Sequence, residues 1–167
     1  CGDADSPEWM IPKVLWIKEN QKDIYNRSYK IIEQLDYLNY KLCGVLSSSI
    51  CQATCKWNYV ESEGGYQKDF MEAIGLEDYE EKMVTRVDKI GTYLGKISPE
   101  FAREFDLNPD MIIVQGGVDA HMAMFGLNVI VPNKIGVIMG TSFVHLCLAE
   151  EKKEYKGIWG PYDGAVI

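Results

Sequence analysis

The chain has 167 residues, 47% of them hydrophobic and 25% charged, a soluble globular composition at a length that suits one ordinary domain. Its 17 basic and 25 acidic residues leave a net charge of -8, which excludes the basic stripe a nucleic-acid partner requires. No apolar run approaches the ~18 residues of a membrane helix and no signal peptide opens the chain, so no membrane partner is expected.

In chain order, Pro12 suits the first turn of a helix, and PKVLWIKENQ continues it with Val14, Leu15, Trp16 and Ile17 on a mostly buried surface. KDIYNRSYK extends the helical pattern, and KIIEQL is β-branched enough to read as a short strand. LDYLNYKLCG is the clearest helix: Asp36 as its cap, Leu35, Leu38 and Leu42 on one face, Gly44 as its stop. From Ser47 to Gly65 the residues are Ser-, Thr- and Cys-rich without a clean period, so this stretch reads as a long irregular and functional loop. YQKDFMEAIGL is a short helix stopped by Gly75, and SPEFAREFDL another, with Ser98 as cap and Pro99 at its first position.

At residue 111 the character changes. MIIVQGG is a continuous apolar run, the pattern of a strand buried on both faces, and DAHMAMFGLN follows at helical spacing with Ala120, Ala123 and Met124 on one side. KIGVIMGTSFVHLCLA reads as a hairpin around a Gly-Thr-Ser turn. Helices dominate early and strands late, so a domain boundary is expected near Asn128 to Pro132. The chain begins at Cys1 without an initiator Met and stops at the apolar GAVI, which predicts a piece excised from a larger protein.

The residues that could carry chemistry are few. Asp119 follows a strand and two glycines, at the sheet edge where α/β folds place their sites; on this segment alone it reads first as a helix cap and second as a base or metal ligand. The turn Gly140, Thr141 and Ser142 offers backbone amides and hydroxyls for a phosphate, or is an ordinary polar hairpin turn. Lys56, between Cys55 and Trp57, suits a polyol over an apolar floor, or a surface lysine with its stem laid down. The run EDYEEK reads as a solvated face. The five cysteines (Cys1, Cys43, Cys51, Cys55, Cys147) are odd in number and scattered. Cys51 and Cys55 could share a helix face, but neither His121 nor His145 stands at a metal-ligand spacing, so no protein metal site is expected and the chain is read as reduced and intracellular.

Taken together and in this order, EWMIPKVLWIKEN, EQLDYLNYKLCG, CKWNY, GGVDAHMAMFG and IMGTS resemble the FGGY family of carbohydrate kinases. The resemblance implies an α/β fold, part of an actin-like ATPase (ribonuclease H-like) two-domain architecture. Residues 1–128 would be the C-terminal part of the N-terminal sugar-binding domain, and 129–167 the first strands of the C-terminal nucleotide-binding domain. It implies a cytoplasmic, ATP- and Mg²⁺-dependent phosphotransferase acting on a small sugar, a ribulose-like ketopentose, and leaves room for a homodimer of the full-length protein. Asp119 matches the general base, Lys56 the substrate-binding lysine of ribulokinase-like members, and Gly140, Thr141 and Ser142 the loop facing the nucleotide phosphates. Glu8 and Trp9 match the edge of the sugar pocket. The family's opening phosphate loop and its later adenosine-binding segment have no counterpart here, so the isolated chain is expected to be inactive. The rival reading is a non-catalytic sugar-binding or regulatory homologue with the same fold.

Overall fold

A computed structural model describes residues 5–167; Cys1, one of the five cysteines counted above, lies outside them. The elements run α1 (Met10–Asn20), α2 (Lys22–Arg27), α3 (Gln34–Cys43), β1 (Ser48–Ser49), α4 (Ile50–Lys56), β2 (Tyr59–Val60), β3 (Gly65–Tyr66), α5 (Lys68–Ala73), α6 (Tyr79–Lys82), β4 (Val87–Asp88) and β5 (Tyr93–Lys96). Then follow α7 (Pro99–Glu104), β6 (Ile112–Val114), α8 (Asp119–Gly126), β7 (Ile135–Met139) and β8 (Phe143–Cys147). The strands pair in twos: β1 with β4 in parallel, and β2 with β3, β5 with β6 and β7 with β8 antiparallel.

Three apolar clusters hold these elements. Ile11 and Val14 of α1 meet Tyr25, Trp57, Met71, Leu76, Tyr79 and Met83 in the largest; a fully buried aliphatic side chain of this kind contributes about 1.5–3 kcal/mol. Leu94, Ile97, Ala102 and Ile113 form a second around β5 and β6. Cys55, Met124, Val129, Ala165 and Val166 form the third, so the apolar GAVI segment is covered except for its exposed last residue, Ile167.

Several sequence expectations hold. Gly44 ends α3 in the left-handed region at φ 75°, donating its N–H to the Tyr40 carbonyl, and Gly75 at φ 83° follows α5. Ser98 Oγ accepts from the Phe101 N–H at 3.2 Å, a side-chain cap on α7. The hairpin is in register, with Ile135 opposite Cys147 and Met139 opposite Phe143.

Others are corrected. Trp16 lies on the exposed side of α1, because Ile11 and Val14 define the covered face. Residues 30–33 form no strand; the Ile31 N–H donates to the Lys82 carbonyl, tying an extended segment to the end of α6. The covered positions of α3 include polar Asp36 and Asn39, while Leu38 faces solvent. Residues 47–65 are ordered around α4, whose Ile50 to Cys55 are all buried. A small helix enclosed on every side needs no amphipathic period, which is why the pattern looked irregular. β6 pairs only with β5 among the described residues, and Ile112 and Val114 remain exposed while Ile113 alone is covered.

Candidate active site

The turn between β6 and α8 is held from below by a buried polar network. Gln115, 1% exposed, accepts from Asn39 Nδ2 at 2.5 Å and donates from Nε2 to the Ser47 carbonyl and hydroxyl at 3.4 and 3.3 Å. Ser47 in turn donates to Asp88 Oδ2 at 2.6 Å. The Gln115 backbone exchanges two 2.8 Å hydrogen bonds with the loop before β5, accepting from Gly91 and donating to Thr92. Ser49 donates its hydroxyl to the Gly116 carbonyl. Buried polar groups this fully paired fix one arrangement of the backbone they hold.

The two glycines have a packing reason. A Cβ on Gly117 would stand 2.8 Å from Met122 Cε, 3.0 Å from Cys51 Cβ and 3.2 Å from Cys51 Sγ; on Gly116 it would meet Leu35 at 3.6 Å. The close approach expected for a ligand is here an approach to the protein's own side chains.

Asp119 is the first residue of α8, not its cap; the cap position falls to Val118, which has no side chain able to bond there. One carboxylate oxygen, Oδ1, accepts from the Ala120 N–H at 2.7 Å, and the residue is exposed. A carboxylate in the first helical turn faces the positive end of the macrodipole. The other oxygen carries no hydrogen bond among the described residues, so it is available to a hydroxyl proton or a hard cation.

Across the turn lies α4. Cys55 Sγ is 3.8 Å from His121 Nε2, and donor atoms of Cys51, Cys55 and His121 all lie within 4.8 Å of one another. The sequence reading found no third ligand for the two cysteines, because His121 is 66 positions from Cys55 and only the fold brings it there. The hydrogen bond from Cys55, opposed by burial and reinforced by His121, draws the Cys51 thiol down toward the thiolate; the same bond and burial push Cys55 up. Lys56 closes α4, half-buried beside buried Trp57, whose indole N–H donates to Glu33 Oε1 at 3.1 Å. It stands on a helix end rather than in a loop, where a cation complements the C-terminal carbonyls. The Cys55–His121 contact therefore couples the helix ending in Lys56 to the helix beginning at Asp119.

The other expected site residues lie elsewhere. Glu8 is exposed, and Trp9 is buried edge-on against Trp159 and Tyr162, with ring centroids 5.5 and 6.4 Å apart. Gly140, Thr141 and Ser142 form the exposed tip of the β7–β8 hairpin, and the Gly140 N–H is already donated to the Ser142 carbonyl at 3.1 Å. That removes one amide from the expected phosphate nest, while the hydroxyls of Thr141 and Ser142 carry no hydrogen bond among the described residues. A cavity of about 310 Å³ lined by residues including Thr54, Asn58, Tyr59, Gln67 and Tyr162 contains none of these candidates.

Sequence reasoning missed Gln115, Asn39, Ser47 and Ser49. The available signal was a lone amide, Gln115, at the end of an otherwise apolar strand; such a residue is buried only with partners.

The fold is shared with solved structures of sugar kinases. A structure described as a xyloylose kinase from Brucella ovis superposes with TM-score 0.78 at 22% identity over 93% of this chain and 31% of its own. Gluconate kinase from Lactobacillus acidophilus gives TM-score 0.78 at 18% identity over 88% of this chain and 29% of its own. The architecture is thus α/β, part of the actin-like ATPase (ribonuclease H-like) fold. The sequence model of the FGGY family of carbohydrate kinases, N-terminal domain, matches residues 5–126, and the chain belongs to that family. It is 33% identical over 187 residues to the human FGGY carbohydrate kinase domain-containing protein, covering 99% of this chain and 33% of that one. To the ribulokinase of Halalkalibacterium halodurans it is 32% identical over 171 residues, covering 99% and 30%. The chain spans about a third of the length of these relatives. No helix of the described residues is long and apolar enough to cross a membrane.

Proposed function

We propose that these residues are the central part of a cytoplasmic, ATP-dependent sugar kinase that phosphorylates a hydroxyl of a ribulose-like ketopentose, with Asp119 as general base. The observation that carries the reading is Asp119 itself: an exposed carboxylate on the first turn of α8, with one oxygen fixed by Ala120 and the other uncommitted. Relatives named ribulokinase at about 32% identity support the choice of a ketopentose. The match to the family's N-terminal domain ends at residue 126, which supports a sugar-binding part over 1–128 and the start of a nucleotide-binding part over 129–167.

In this mechanism the Asp119 carboxylate accepts the proton of the sugar hydroxyl as that oxygen bonds to the γ-phosphorus and the bond to the ADP oxygen breaks. Lys56, at the C-terminal end of α4, hydrogen-bonds the sugar and sets which hydroxyl faces Asp119. The Thr141 and Ser142 hydroxyls face the phosphates. These hydroxyls are hard oxygen donors of the kind Mg²⁺ takes, and that ion, when bound, would neutralise charge on the phosphates. Little covalent work is asked of the protein, so positioning and charge dominate.

Replacing Asp119 by Asn in the full-length protein tests the assignment. Loss of turnover by about 10²–10⁴-fold with sugar binding retained in calorimetry is expected. Turnover unchanged from the parent would remove Asp119 from the role, and sugar binding without turnover in the parent itself would make the protein a binding homologue.

A further inference from the structure

We infer that Cys51, Cys55 and His121 form a binding site for a single zinc ion, independent of the kinase reading. Cys51 and Cys55 are four residues apart on α4 and so project from one face of it. Both are buried, and the glycine turn closes over them, with Gly117 lacking the Cβ that would strike Cys51. His121 enters from α8, placing Nε2 3.8 Å from Cys55 Sγ. The three donors lie within 4.8 Å of one another. In a tetrahedral site with bonds of about 2.3 Å to sulfur and 2.0–2.1 Å to nitrogen, donors stand roughly 3.5–3.8 Å apart, so closure needs shifts of about 1 Å or less.

The donor set points to a soft cation. Two thiolates and one neutral imidazole carry two negative charges, which a dication balances, and sulfur donors select Zn²⁺ over Mg²⁺ or Ca²⁺. A disulfide is the competing chemistry of paired cysteines, but it needs Cβ atoms about 3.5–4.5 Å apart. Positions four apart on an intact helix hold them at about 5–6 Å, so oxidation would require unwinding α4. Three protein donors leave the fourth position to water. The ion would tie α4, at the residue before Lys56, to the first turn of α8, two residues after Asp119.

The test is titration of the reduced, metal-free full-length protein with Co²⁺, a spectroscopic stand-in, followed by displacement with Zn²⁺. One equivalent should bind with thiolate-to-cobalt charge transfer and intense tetrahedral visible bands, both abolished in Cys51→Ser and Cys55→Ser. His121→Ala should retain charge transfer but bind at least about tenfold more weakly. Because a cysteine variant could fail to fold, X-ray absorption on the zinc-loaded parent gives an independent reading, expected to find two sulfur neighbours and at least one nitrogen. Absence of stoichiometric uptake, uptake unchanged in the variants, or a zinc shell without sulfur would each overturn the site.

Discussion

Asn39 Nδ2 donates to Gln115 Oε1 at 2.5 Å, with both side chains closed to water, and this one bond connects the inner face of α3 to the end of β6. The amide of Gln115 then reaches Ser47, so three segments distant in sequence meet beneath the turn that leads to Asp119. The geometry around the proposed base is thus set by polar groups that cannot find water if the arrangement slips.

Removing one member should therefore cost more than the bond itself. Asn39→Leu strands the Gln115 carbonyl, and a destabilisation of about 1–3 kcal/mol is expected in urea unfolding. Gln115→Leu should cost a similar amount. The double variant should fall short of the sum by roughly 1 kcal/mol or more, the signature of a shared interaction. Strict additivity would show that the pair is not coupled.

The glycine turn gives a paired comparison. Gly117→Ala puts a methyl group 3.0 Å from Cys51 Cβ, which belongs to an enclosed helix and has little room to retreat. A loss of about 1–3 kcal/mol is expected from overpacking. Gly126→Ala, at the end of α8 with nothing within 4 Å of the new Cβ, should be neutral or stabilise by a few tenths of a kcal/mol. Thermal melts of the two variants should move apart; a Gly117→Ala protein as stable as its parent would contradict the packing account.

These residues also show what was legible beforehand. The capped helix α7, the Gly44 stop and the hairpin follow local chemistry, and local chemistry is written in neighbouring residues. Asp119 stands out because an apolar strand and two glycines precede it, and Lys56 through the resemblance carried by CKWNY. Asp36 was misread as a cap because Asp before a helical run has that meaning; what buries it is β1, whose Ser49 N–H donates to its Oδ1 at 3.3 Å. His121 has no partner at a metal-ligand spacing in sequence because its partners lie on another helix, 66 positions away in the case of Cys55. Relations of this kind arise only when the chain closes on itself, and no spacing rule along the sequence contains them.

Asp36 carries a pH dependence of definite sign. Burial pushes its carboxyl up to about 6, against hydrogen bonds from Ser48 and the Ser49 N–H that favour the charged form. The folded protein then holds this proton more tightly than the unfolded chain, whose carboxyl titrates near the ordinary value of about 3.9. The associated stability is full below about pH 4 and is lost as pH rises through about 6, by on the order of 3 kcal/mol. Asp36→Asn keeps an acceptor for Ser49 and has no charge to form. In denaturant melts from pH 4 to 7, the parent should lose stability relative to this variant. Parallel pH profiles for the two would mean that Asp36 ionises alike in the folded and unfolded states.

Lys56 and Asp119 should separate kinetically if their proposed roles differ. A lysine that holds the sugar equally before and during transfer contributes uniform binding, so its loss raises KM and leaves kcat nearly unchanged. Lys56→Met in the full-length protein preserves an apolar stem of similar length while deleting the ammonium. A rise in sugar KM of about 10- to 100-fold is expected, matching the roughly 1.5–3 kcal/mol of a hydrogen bond to a charged group. Asp119→Asn should do the reverse, lowering kcat with KM little altered. The steady-state constants, measured with ribulose and with ATP saturating, decide between the roles. A Lys56→Met enzyme with a collapsed kcat and an unchanged KM would place the lysine in the transition state, acting on the transferred phosphoryl group instead of on the sugar.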